Sequence, residues 1–195
     1  MALTLNGSTN TITGVAVGGL PDGIVDADMI ATDAVTATKI GVKAFVSYAL
    51  VMDQKTQNTQ GGQFATGSWI IRDLNTEAYD PDGIVSLSSN KFTLAAGNYL
   101  IKWKCPCYRI DRAASRLYDV TNSAAISPAG RNTHNYPTTG YAQTNTEGLA
   151  RVSPSGSTEY RIENRSFQTR DTNGLGVGTN FAAEVFTTVE IYKEA

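Results

Sequence analysis

From Lys43 onward the chain alternates aromatic or β-branched residues with polar ones, and Gly, Pro, Asn or Ser clusters interrupt the alternation every eight to twelve residues. Lys43 to Val51 reads as a first strand, and Gly61 to Ile71, with its Gly-Gly turn, Phe64, Trp69 and Ile71, as a short strand pair. The densest signal is the run from Ile84 to Tyr108. An apolar strand, a Ser-Ser-Asn turn, a Phe-Thr-Leu strand, a turn at Ala96-Gly97-Asn98 and a long alternating strand, Asn98 to Tyr108, follow with almost no spacer. Further strands are expected at Ala114 to Val120, Gly148 to Val152, Thr158 to Phe167 and Asn180 to Tyr192. Eight to ten short strands with no helical stretch after Lys43 predict an all-β antiparallel jelly-roll sandwich.

Two of these strands carry more than a fold assignment. Cys105 and Cys107 are two apart on the long central strand, so both thiols should face the core beside Tyr99, Ile101 and Trp103. A bridge between them would close a very small loop with poor geometry, and they read as reduced, structural thiols. On the closing strand, strict alternation gives one face of Phe181, Ala183, Val185, Thr187, Val189 and Ile191 and another that includes Phe186 and Tyr192. Both faces hold apolar bulk, so the strand is expected to need cover on both sides, the second from a neighbouring subunit.

The first forty residues are different. They hold no aromatic residue and a single Lys, and Val25 to Ile30 and Val35 to Ile40 share the pattern V-x-A-x-x-I at a spacing of ten. So few large apolar side chains cannot stabilise a fold alone, and the segment must lean on copies of itself or on another protein. A trimeric β-rich shaft is favoured over a helix at Ala27 to Ile40, where Val25, Met29 and Ile30 can share a face. The division expected is 1–42, an extended low-complexity segment, and 43–195, the sandwich.

Charge removes some functions. A formal net charge of −2 with no basic run leaves no footprint for a phosphate backbone. No apolar run approaches the roughly 20 residues of a membrane span, and the N-terminus lacks the pattern of a signal peptide. One histidine, His134, in a turn-rich stretch, with no metal-ligand spacing and no Gly-x-Ser-x-Gly elbow, supports no catalytic site and no cofactor. Asp80-Pro81-Asp82-Gly83 is read as a turn in preference to a calcium loop, since further ligands are absent. The residues that could contact another molecule are Arg109, Arg112 and Arg116 past the central strand, and Asn132, His134, Tyr136 and Tyr141 in the stretch from Arg131. Tyr, Asn, Arg and His on loops stack on sugar rings and satisfy hydroxyls.

Phe92, Thr93, Leu94, Gly97 and Tyr99, leading into the central strand, resemble the complement-C1q/tumour-necrosis-factor family, as does the phrase from Ser68 to Leu87 with Trp69, Arg72, Leu74 and Asn75, which is similar to phage and bacterial members of that group. The resemblance implies a homotrimeric binding domain without catalysis, in which the first and last strands lie side by side near the three-fold axis. It makes Tyr48, Phe186 and Tyr192 the candidates for a trimer seam. The leader at Leu3 to Gly14, Gly18 to Gly23 and Asp33 to Ile40 resembles the start of structural proteins of tailed bacteriophages, marine or cyanophage-like ones among them. That likeness implies a virion protein, made in the host cytoplasm, whose first 42 residues dock on other virion proteins and whose sandwich contacts a host-surface glycan or protein. A tail fibre or knob is the leading expectation; a capsid decoration protein, a head fibre and a stand-alone carbohydrate-binding module are the alternatives.

Overall fold

A computed structural model describes residues 4–6, 8, 11–13, 45–127, 130–135 and 142–195. The chain divides into two units, Met1–Lys43 and Ala44–Ala195. In the first, strands β1 (Thr4–Asn6) and β2 (Thr11–Thr13) form an antiparallel pair with Leu5 opposite Ile12. The ten-residue repeat and the alternative helix lie outside the described residues.

In the second unit the period-2 pattern becomes two antiparallel sheets. The first has the order β12 (Gln143–Val152), β8 (Tyr99–Tyr108), β14 (Glu184–Glu194), β3 (Phe45–Lys55), β5 (Thr76–Tyr79). The second has the order β10 (Ala124–Ala125), β9 (Asp111–Asp119), β13 (Thr158–Ser166), β7 (Lys91–Leu94), β6 (Val85–Ser88). Strands β11 (Thr133–Asn135) and β4 (Ile70–Ile71) pair with β9 and β13. The chain crosses repeatedly between the sheets, with β6–β7 and β9–β11 each staying within the second, and the first and last strands of the sandwich, β3 and β14, lie side by side. This is an all-β jelly roll.

The core lies between the sheets. Tyr99, Ile101, Trp103 and Cys105 of β8 face Phe92, Leu94, Leu117, Tyr160 and Ile162 of the other sheet, while Lys102 and Lys104 point outward. Cys105 and Cys107 are buried free thiols, and burial pushes the Cys105 pKa up to about 12. Cys107 belongs to a second cluster with Phe64, Ile110, Ala113 and Leu175. The Trp103 indole donates to Ser115 Oγ at 2.9 Å and lies across Gly148, its register partner. A Cβ on Gly148 would sit 1.8 Å from the ring.

Arg72 is 1% exposed between the clusters. It forms no salt bridge among the described residues and donates to Thr187 Oγ1 (2.8 Å), Pro106 O (3.2 Å) and Leu175 O (2.9 Å). A guanidinium can be buried this way because carbonyls and a hydroxyl replace its water.

Three expectations are corrected. Gly61 to Ile71 does not pair with itself: Phe64 bridges Arg170, Thr66 bridges Ser166, and Ile70–Ile71 pair with β13. Those partners lie about a hundred residues along the chain, beyond the reach of local turn signals. The closing strand begins at Glu184, not Asn180. The Glu184 carboxylate accepts the N–H groups of Asn58, Thr179 and Asn180, holding the preceding loop out of the sheet and leaving Phe181 90% exposed. Strict alternation also fails on β14, because the register with β3 shifts between Val185 and Thr188. The bulge turns both Phe186 and Thr187 inward and Val185 outward. Phe186 therefore lies 6% exposed within its own chain and does not share a face with Tyr192.

The Asp80–Gly83 segment is a turn. Asp80 accepts Ile84 N–H and Val85 N–H on its two carboxylate oxygens at 2.9 and 2.8 Å, and Gly83 has φ of 62°. Among the described residues no group of three or more His, Cys, Asp or Glu side chains could hold a metal ion.

Candidate functional site

Two surfaces of the sandwich gather candidate contact residues. The first is the outer face of the five-stranded sheet. Antiparallel pairing sets Tyr48, Tyr192 and Leu100 in one row across β3, β14 and β8. The next row runs Tyr79, Leu50, Glu190, Lys102 and Leu149. The Tyr48 and Tyr192 rings are 5.0 Å apart, Phe45 is 5.1 Å from Tyr192, and Tyr79 is 5.9 Å from Tyr48. Tyr192 donates a short hydrogen bond to Glu190, and that bond, with burial, pushes its pKa up to about 12. Lys102 Nζ lies 5.7 Å from the Tyr192 ring centroid. Phe45, Tyr79 and Leu149 are each about half exposed, at 47%, 53% and 50%. Exposed rings grouped on the solvent side of a sheet, around the Lys102–Glu190 pair, make this face a candidate interaction surface. Of the three seam candidates it brings Tyr48 and Tyr192 into contact and leaves Phe186 in the interior.

The second surface is a cleft of about 340 Å³ on the outer face of the other sheet. Outward positions on β9 are Arg112, Ala114, Arg116 and Tyr118. Ala114 pairs with Arg165 of β13 on one side and, one step beyond the Thr133–Ala113 pair, adjoins Asn132 on the other. The small Ala114 side chain thus leaves a hollow ringed by longer ones. Trp69 and Phe167 complete the lining.

The arginines here are not equivalent. Arg116 is ion-paired: its Nε is 2.7 Å from Glu163 Oε2, and Arg161 NH2 holds Oε1 of the same buried carboxylate at 2.5 Å, so two guanidinium groups share one negative charge. The Arg116 guanidinium lies 4.2 Å over Trp69 and 5.1 Å over Tyr118. Arg112 is exposed, 4.0 Å over the Phe167 ring, and among the described residues its one ion pair is with Asp111 at 3.6 Å. Asp111 is itself shared with His134 Nε2 at 2.8 Å. Arg165 is exposed and forms no ion pair among the described residues. Arg109 occupies the β8–β9 turn with φ of 50°, and its carbonyl accepts from Arg170 Nε at 3.0 Å.

Of the contact residues expected from sequence, Arg112 and Asn132 therefore line the cleft, His134 borders it, Arg116 serves an internal ion-pair network, and Arg109 lies in the turn. Tyr136 and Tyr141 lie outside the described residues. Sequence reading missed Trp69, Arg165 and Phe167. Arg165 and Phe167 were legible only as the end of a strand, because what places them beside Arg112 is the β9–β13 register, a pairing across some fifty residues.

No protein-family model matches the chain, and no curated protein sequence matches it. Solved structures do. The globular domain of zebrafish complement 1qA is similar over 74% of this chain and 94% of its own, with 14% identity and a TM-score of 0.45. Murine APRIL is similar over 75% and 98%, with 5% identity and a TM-score of 0.46. Eiger TNF from S. frugiperda is similar over 78% and 94%, with 10% identity and a TM-score of 0.49. At these values the assignment of a jelly roll rests on the sheet order itself.

Proposed function

We propose that this chain is a homotrimeric binding protein of a tailed-bacteriophage particle, its sandwich contacting the host surface and its first 42 residues docking on other virion proteins. The observation that carries the self-association is the outer face of the five-stranded sheet, where Tyr48, Tyr79, Tyr192 and Phe45 meet around β3 and β14. A second and third copy would cover those rings as a core covers them. Three copies would also present three clefts on one body, so that individually weak contacts to a repetitive surface add through effective concentration. The virion assignment is supported by the phrases at Leu3 to Gly14, Gly18 to Gly23 and Asp33 to Ile40.

The experiment is electron microscopy of intact particles labelled with gold-conjugated antibody raised against residues 43–195. Gold at the tail end is the expected result and makes the chain an adsorption fibre or knob. Gold over the head would make it a decoration protein or head fibre. Particles without gold would overturn the virion assignment and leave a free carbohydrate-binding module.

A further inference from the structure

Resting on the reading of the chain as a surface-binding protein, we infer that the cleft around Ala114 binds an acidic saccharide, with its carboxylate on Arg165 and Arg112 and a sugar face against Trp69 or Phe167. The inference comes from charge and shape together. The whole chain carries a net charge of −2, yet this hollow is lined by two exposed guanidinium groups. Arg165 has no ion-pair partner among the described residues, and Arg112 shares an aspartate at 3.6 Å with a histidine. The neighbouring Arg116, by contrast, is held by the Glu163 carboxylate, which it shares with Arg161. A guanidinium presents paired N–H donors that match a carboxylate in two parallel hydrogen bonds.

The walls supply the other half of saccharide recognition. Phe167 is 58% exposed, and Arg112 lies 4.0 Å over its ring, so the ring and its cation are held as one unit. Trp69 is fixed by Arg116 at 4.2 Å. Flat apolar surface beside fixed donors suits a pyranose, whose C–H face stacks while its hydroxyls find polar partners such as Asn132. A bare anion would use the arginines and leave the aromatic walls idle; a neutral sugar would use the walls and leave Arg165 without a counter-charge. An acidic sugar uses both. The small Ala114 floor gives it room.

The test is isothermal titration of the full chain with tri-galacturonate and sialyllactose, against maltotriose, lactose and inorganic phosphate, for the wild type, Arg165→Ala and Ala114→Leu. The inference expects at least one acidic probe to bind, with affinity falling as salt rises, and expects the neutral sugars and phosphate to bind at least tenfold more weakly. Arg165→Ala should weaken the acidic probe at least tenfold by removing charge, and Ala114→Leu by filling the hollow with the charge kept. Unchanged circular dichroism shows that each variant folds; a variant that does not fold is replaced by Arg165→Gln or Ala114→Val. Equal binding of acidic and neutral probes, binding that both variants retain, or no binding of either acidic probe overturns the inference. A trimer found on the particle that binds neither acidic probe would sink the cleft and leave the fibre reading standing. A monomer that binds the acidic probe through Arg165 would do the reverse.

Discussion

Gly148 and Trp103 show how closely single residues set this core. An indole can lie flat across the neighbouring strand only where its cross-strand partner has no side chain, and a Cβ there would meet the ring at 1.8 Å. Gly148→Ala should cost about 1–3 kcal/mol by overpacking, read as a lower midpoint in thermal or urea unfolding. The sequence shows a glycine in a strand; it does not show which ring crosses it. The two thiols were legible, because i and i+2 on a strand share a face whatever the fold. Burial holds Cys105 as the thiol, with its pKa pushed up to about 12. Neither cysteine should react with a thiol reagent at pH 8 in the native protein, and both should react in denaturant. Arg72 is the opposite case. Nothing in its phrase distinguishes a surface arginine from one that donates to two carbonyls and a threonine 1% exposed. Arg72→Met should lower stability by about 3 kcal/mol, the order of losing hydrogen bonds made by a charged group.

At the scale of the element, β14 shows where pattern reading succeeds and where it stops. Alternation located the strand and put Val189 and Ile191 in the core. It could not locate the bulge between Val185 and Thr188, since an extra residue leaves no mark in composition, only a change of phase. The bulge turns Thr187 inward, where its hydroxyl receives Arg72. It also separates the two aromatics that alternation had put on one face. Phe186→Asp should therefore unfold or aggregate the protein, whereas Tyr192→Asp should keep its circular dichroism spectrum and lose self-association. The strand's first residue sets a pH limit. The N–H groups of Thr179 and Asn180, and then that of Asn58, hold the Glu184 carboxyl below its ordinary value of 4.5. A depressed folded-state pKa means that this contribution is present above about pH 4.5 and is lost as pH falls through the folded value. Glu184→Gln should flatten the acid limb of the stability profile measured by chemical denaturation between pH 3 and 6.

For the whole molecule, the all-β sandwich followed from short strands at regular spacing, although β3 to β14 make twelve strands among the described residues against the eight to ten expected, and the adjacency of β3 and β14 agrees with what the resemblance implied. The cleft did not follow, because it is assembled from Trp69, Arg112, Asn132 and Arg165, residues that only the sheet register brings together. The aromatic face was half legible: Tyr48 and Tyr192 were marked as seam residues, while Phe45 and Tyr79 were not. In the proposed trimer, avidity and burial of the exposed rings would both depend on three copies meeting at that face. The most direct measurement is the mass of the full chain in solution by light scattering on a size-exclusion column, with Tyr192→Asp beside it. A mass three times the 20.8 kDa chain, falling to one chain in the folded variant, is the expected result. A folded wild-type monomer at micromolar concentration, or a trimer that Tyr192→Asp leaves intact, would contradict it.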